Sequence, residues 1–237
     1  MDASILIFDT PEEAAAACGD RTLEILERAR RERARATLAV SGGSTPRLMF
    51  EAMSSRSFDW QGIEIFQVDE RCVPPDHDLS NFRMIRESLL IAAGIDERHF
   101  HRVRGELAPE EAARIYVDDI RQSFGLNHGE LPVFDVIQRG MGPDGHTASL
   151  FPGEPLTGDR TGIAAAVYVA KMMQHRVTLL PGVLERARNT LCLATGKEKA
   201  EALLKVLDGP RDPWNLPSQF ASTDTVWYID KAASVLR

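Results

Sequence analysis

Ala36-Thr37-Leu38-Ala39-Val40-Ser41-Gly42-Gly43-Ser44-Thr45-Pro46 is an apolar run, a glycine-rich turn and the opening of an amphipathic stretch. This order reads as strand, turn and helix, the helix continuing to about Met53. The same grammar recurs on both sides. Upstream, residues 4–8 read as a strand. Thr10-Pro11-Glu12-Glu13 then reads as a helix start, with Thr10 at the N-cap, Pro11 in the first turn and Glu13 closing a capping box. That helix extends to about Arg33, buries Cys18, Ile25, Leu26 and Ala29, and ends in arginines that suit the negative end of its dipole. Downstream, strands are predicted over 63–68, 133–137, 163–169, 177–180, 190–194 and 225–229, and helices over 81–92, 109–124 and 197–207. Such alternation implies an α/β fold, an open and mostly parallel sheet with helices on both faces. The stretch 208–217, with three prolines and a glycine, reads as a surface loop, so residues 1–237 are expected to form a single domain.

Composition narrows the function classes. The 237 residues are 43% hydrophobic and 27% charged, with a formal net charge of -7. These are the values of a globular chain, and the acidic balance gives no reason to expect nucleic acid or an anionic membrane as partner. Cys18, Cys72 and Cys192 are far apart and odd in number, which argues against a disulfide framework or a zinc site. Cys72 as a nucleophile would need a nearby base, and none is visible in the sequence. With no apolar run of membrane-spanning length and no signal pattern at the N-terminus, a cytoplasmic location is the expectation, and a monomer the expected state.

Three segments at predicted strand ends carry the candidate chemistry, and in open α/β sheets ligands bind beyond the carboxyl ends of the strands. The turn Gly42-Gly43-Ser44-Thr45 precedes a helix, where glycines admit close approach and the first-turn amides attract an anion; a plain capped turn accounts for the same residues equally well. Asp69-Glu70-Arg71, taken alone, reads as a solvated charge run, although the Arg71 guanidinium is shaped for phosphate oxygens. Ser80-Asn81 reads as the N-cap of the next helix, within reach of a ligand. The third segment is Gly140-Met141-Gly142-Pro143-Asp144-Gly145-His146. An imidazole in a permissive glycine turn, one residue removed from a carboxylate, is a candidate general base near neutral pH. His77, His99, His101, His128 and His175 lack such surroundings and are read as packing or surface residues.

The stretch from Gly140 through Thr147-Ala148-Ser149-Leu150-Phe151-Pro152-Gly153 resembles the signature of the 6-phosphogluconolactonase family. Ser41 to Pro46 resembles that family's first loop, and Val68-Asp69-Glu70-Arg71 with Ser80-Asn81-Phe82 its second. Gly196-Lys197-Glu198-Lys199-Ala200 and Trp227-Tyr228-Ile229-Asp230 resemble its C-terminal part. The resemblance spans nearly the whole chain. It implies a Rossmann-like sheet and metal-independent, cofactor-free hydrolysis of a sugar-phosphate lactone in the pentose phosphate pathway. By position it implies that His146 is the general base and that Asp144 orients it. It further implies that Gly42, Gly43, Ser44, Thr45, Arg71 and Lys199 hold the phosphate, with Asp69 and Arg176 also facing the substrate.

Two stretches depart from the family pattern. Gln138-Arg139 stands where aliphatic residues are usual, so that strand end is expected to meet polar groups. Lys171-Met172-Met173-Gln174-His175 replaces a proline-containing segment before Arg176. Aminosugar-phosphate deaminases share the Asp-Gly-His core but supply a further carboxylate soon after the histidine, and residues 147–151 contain no acid. A sugar-phosphate sensor of the same fold would carry an added DNA-binding helix-turn-helix, for which an acidic chain of this length has neither room nor charge.

Overall fold

The computed structural model describes residues 4–222 and 224–236. Among these, ten strands form: β1 (Ser4–Phe8), β2 (Ala36–Val40), β3 (Ile63–Gln67), β4 (Asp69–Arg71), β5 (Phe100–His101), β6 (Val136–Arg139), β7 (Ala164–Val169), β8 (Gln174–Leu179), β9 (Thr190–Ala194) and β10 (Thr225–Asp230). The α-helices are α1 (Pro11–Arg33), α2 (Ser44–Ser54), α3 (Asn81–Ile85), α4 (Pro109–Phe124), α5 (Pro181–Leu184) and α6 (Ala200–Asp208). Seven strands make one parallel sheet in the order β1-β10-β9-β6-β2-β3-β5.

Alternation along the central strands explains why both faces are covered. Leu38 and Val40 pack with Ile63, Ile65, Val136 and Leu193 against the buried stripes of α1 and α2. Ala39, Phe66 and Ile137 point the other way, against Ala112, Tyr116 and Ile120 of α4. Cys192, Ala194, Trp227 and Ile229 pack under α6. A fully buried aliphatic side chain contributes roughly 1.5–3 kcal/mol, so strands apolar on both faces settle in the middle of the sheet. Thr10 caps α1 as read, accepting from the Glu13 N–H at 3.2 Å, while the Glu13 carboxylate reaches one residue further back to the Asp9 N–H at 3.0 Å.

Several expectations are corrected. The strands expected over 163–169 and 177–180 do not join the parallel sheet. They are β7 and β8, an antiparallel pair that adds β4 to form a separate three-stranded sheet. β4 itself overturns the solvated reading of Asp69-Glu70-Arg71, because Asp69 and Glu70 are buried. The strand expected over 133–137 begins at Val136, since the Asp135 carboxylate instead binds the Thr37 N–H and hydroxyl. The helix from Asn81 gives way at Arg86 to a π-helical turn ending at Leu90, in which Ile91 N–H reaches Arg86 O. The expected helix over 197–207 opens with a 3-10 turn, Lys197–Lys199, before α6. The two-residue β5, on the sheet edge, has no counterpart in the sequence reading.

This topology positions a site. From β2 the chain proceeds outward to β3 and β5; from β6, beside it, the next strand of the sheet is β9 on the other side. The loops leaving β2 and β6 therefore diverge at a switch point, where open α/β sheets form their ligand crevice.

Candidate active site

A cleft of about 280 Å³ opens at that switch point. It is lined by the 41–46 loop after β2, by Asp69, Arg71 and Asn81, by the turn from Gly140 to His146, by Arg176, and by Thr195, Glu198 and Lys199 beyond β9. Gly42, Gly43, Ser44, Thr45, Asp69, Arg71, His146, Arg176 and Lys199 thus converge from widely separated positions, while Asp144 stands behind His146 rather than in the cleft wall.

The histidine turn is built by close approach. Gly142 N–H donates to His146 O at 2.8 Å and Gly145 N–H to Gly142 O at 3.0 Å. A Cβ on Gly142 would lie 2.0 Å from the His146 ring, so only glycine leaves room for the imidazole. Asp144 Oδ1 accepts from His146 Nδ1 at 2.6 Å and from the His146 backbone N–H at 3.2 Å. Burial alone would raise the Asp144 pKa; the hydrogen bonds from His146 and Lys171 outweigh it and hold the carboxyl well below the usual carboxylate range. An ionised carboxylate only accepts, so Nδ1 carries the proton and Nε2 is the basic nitrogen. Phe151 packs on the imidazole at 4.2 Å between ring centroids. From behind, Ser218 Oγ donates to His146 O at 3.0 Å, and Ser218 N–H to Gly145 O at 2.9 Å.

Gln138 and Arg139, which stand where the family usually has aliphatic residues, meet polar groups as expected. Gln138 Oε1 accepts from Ser41 N–H at 3.3 Å, tying the ends of β6 and β2 together. The fully buried Arg139 donates to Phe220 O and, at 3.4 Å, to Ser218 O, in the segment that backs the histidine turn.

The opposite wall is cationic. No side chain caps α2, whose positive end turns toward the cleft through Gly43, Ser44 and Thr45. Thr45 and Thr195 hydroxyls share a 2.8 Å hydrogen bond. Arg71 donates to Leu79 O at 2.9 Å and to Asn81 Oδ1 at 2.5 Å. A Cβ on Gly42 would lie 1.8 Å from that same Asn81 oxygen, so the first loop's glycine makes room for the second loop's asparagine. Lys199 lies beside Glu198, 3.9 Å away. Arg176, only 6% exposed, faces Ser149 Oγ at 3.5 Å. Burial pushes its pKa down, and the Asp69 charge opposes that. Asp69 accepts from Ser149 Oγ at 2.8 Å. Among the described residues, the buried Nε–H groups of Arg71 and Arg176 have no partner, as is also true of Arg35, Arg121 and Arg139 away from the cleft. Donors left open in a cationic wall are complementary to an anion.

Glu70 organises this wall and escaped the sequence reading. Its carboxylate accepts from the N–H groups of Arg71 (2.8 Å), Asn81 (2.7 Å) and Phe82 (2.7 Å), and from Gln67 Nε2 (2.8 Å). Burial pushes its pKa up, and those donors offset part of the rise. The available signal was an acid between a strand and a Ser-Asn helix start, which sets a carboxylate against free first-turn amides. Cys72 is poorly suited to act as a nucleophile, burial pushing its thiol up to about 11. Among the described residues, no group of three or more His, Cys, Asp or Glu is placed to hold a metal ion, and no helix is long and apolar enough to cross a membrane.

A switch-point cleft with one cationic wall and a carboxylate-backed histidine opposite is the layout of an enzyme for a small anionic substrate. The chain belongs to the family of glucosamine-6-phosphate isomerases and 6-phosphogluconolactonases, whose pattern matches residues 9–227. The 6-phosphogluconolactonase of Synechocystis sp. is 36% identical over 207 residues, covering 85% of each chain. The human 6-phosphogluconolactonase is 36% identical over 214 residues, covering 86% of this chain and 81% of its own. Among solved structures, 6-phosphogluconolactonase from Trypanosoma cruzi superposes with a TM-score of 0.89 at 27% identity, covering 99% of this chain and 96% of that one. A monomeric glucosamine-6-phosphate deaminase reaches a TM-score of 0.83 at 19% identity over 99% of this chain and 100% of that one, so the fold alone does not separate the two activities.

Proposed function

We propose that the chain hydrolyses 6-phospho-D-glucono-1,5-lactone to 6-phospho-D-gluconate, the lactone-opening step of the oxidative pentose phosphate pathway, with His146 as general base. The observation that carries this reading is the Asp144–His146 pair at 2.6 Å, with His146 lining one cleft together with Arg71, Arg176, Lys199 and the α2 N-terminus. The names of the relatives support the substrate.

The phosphate is remote from the reacting carbon. Held by Arg71, Lys199 and the Gly42–Thr45 loop, it places the lactone carbonyl beside His146, a gain in orientation. His146 Nε2 takes a proton as a water oxygen adds to the carbonyl carbon, and a positioned base contributes about 10²–10⁴-fold. Asp144 steadies the imidazolium that forms. The tetrahedral oxyanion collapses, the bond from carbon to ring oxygen breaks, and the ring oxygen receives the proton from His146. The products are a carboxylic acid, which ionises, and a free hydroxyl. Residues 147–151 hold no carboxylate for the ring opening of an aminosugar.

The test compares two substrates. Purified enzyme is assayed with freshly generated lactone and, in parallel, with glucosamine 6-phosphate. Turnover of the lactone without ammonia release from the aminosugar is expected. Deamination in the absence of lactone hydrolysis would reverse the assignment.

A further inference from the structure

The tip of the β7–β8 hairpin carries Lys171, in a one-turn 3-10 segment, Ala170–Met172, closed by Met173 at φ +48°. Lys171 reaches across 27 positions of sequence to Asp144, where its Nζ contacts Oδ2. Its ammonium also lies 4.2 Å from the centre of the Phe151 ring, the same ring that packs on His146. Asp144 is therefore held at both oxygens, Oδ1 by His146 and Oδ2 by Lys171. We infer that Lys171 is a positioning residue for the base: it fixes the carboxylate that aligns His146 and shares its negative charge. This rests on His146 being the base.

Two physical consequences follow from the geometry. An Asp144 held at one oxygen only could rotate and take the imidazole with it, which lowers turnover more than binding. An Asp144 without its cation would also favour the imidazolium, so the base form of His146 would be lost at a higher pH. The other charged groups facing His146 are Arg176 on β8 and, across the cleft, Asp69, Arg71, Glu198 and Lys199. Among the described residues, none of these is hydrogen-bonded or ion-paired to Lys171, and the Arg176 side chain touches the same hairpin tip only through Met172 Sδ at 2.8 Å. Lys171 is 49% exposed, so as a solvent-screened ion pair it adds little to stability. A variant is thus expected to fold normally.

The experiment measures kcat and KM for lactone hydrolysis from acid to neutral pH for wild type, Lys171→Met, Lys171→Arg and His146→Ala, with a thermal melt of each. Lys171→Met is expected to melt with wild type and to lose about tenfold in kcat, part of what a positioned base contributes, with KM little changed. The acidic limb of its kcat/KM profile should move to higher pH, the direction expected when the cation opposing Asp144 is removed. Lys171→Arg should recover both. A raised KM with unchanged kcat would overturn the proposal, since Lys171 would then grip the phosphate. So would an unmoved acidic limb, or an Arg variant as impaired as the Met variant. If His146→Ala keeps wild-type turnover, His146 is not the base and Lys171 has nothing to position. If His146→Ala is inactive while Lys171→Met behaves as wild type, only the role of Lys171 is lost.

Discussion

His146 stands in its turn because Gly142 has no side chain, and that dependence can be tested one atom at a time. Gly142→Ala places a methyl group 2.0 Å from the imidazole, a distance no pair of carbon or nitrogen atoms tolerates, so the ring must leave the cleft. The variant is expected to fold, as judged by its melting curve, and to lose about 10²-fold or more in kcat, the order of a base's contribution. Arg71→Ala is expected to act differently. It removes a cation remote from the reacting carbon, so KM for the lactone should rise while kcat changes little; an unchanged KM would remove Arg71 from the phosphate wall. At this scale the sequence was informative where chemistry and backbone permission coincide, as in the Asp-Gly-His turn. Glu70 and Lys171 were not legible. Their roles exist only because β4 folds against α3 and a hairpin tip folds over Asp144, contacts that residue type and spacing do not encode.

Helix starts were the most legible elements, because a cap is a local contract between neighbours in sequence. Thr10→Ala should cost about 1 kcal/mol, the usual worth of a capping hydroxyl, and lower the melting temperature without touching kcat. The connection of β4 to α3 should be far more sensitive. Glu70→Ala strands three backbone N–H groups and the Gln67 amide, and each buried donor left unpaired costs about 1–3 kcal/mol. A melting temperature within a few degrees of wild type would contradict that. The elements misread from sequence share one cause. Val133 and Phe134 are apolar enough for a strand, yet Asp135 turns back to Thr37 and pairing starts only at Val136. β7 and β8 have strand-like residues, but whether a strand joins the main sheet or a small antiparallel one is decided by partners far away in the chain.

Across the whole molecule, the alternation of apolar runs was enough to predict an open, mostly parallel sheet covered on both faces, but not its strand order, which makes the loops after β2 and β6 diverge. Away from the cleft, on the sheet edge, His101 on β5 bridges Asp119 of α4 at 2.9 Å and Glu64 of β3 at 3.0 Å, stacked on Phe66. Burial alone would lower its pKa, but the two carboxylates outweigh that and raise it. A histidine with a raised folded pKa adds stability that is fully present below its unfolded value of about 6.5 and is lost as pH rises through the folded one. Urea unfolding at pH 6 and at pH 8.5 should therefore show wild type losing a stability increment that His101→Asn lacks. A constant difference between the two proteins would exclude the bridge as its source. The chemistry is tested most directly by one number, kcat/KM of His146→Ala for freshly generated 6-phosphoglucono-1,5-lactone, measured against wild type on protein shown to be folded. A fall of about 10²–10⁴-fold is the expected result; turnover equal to wild type would mean that water is activated by another group.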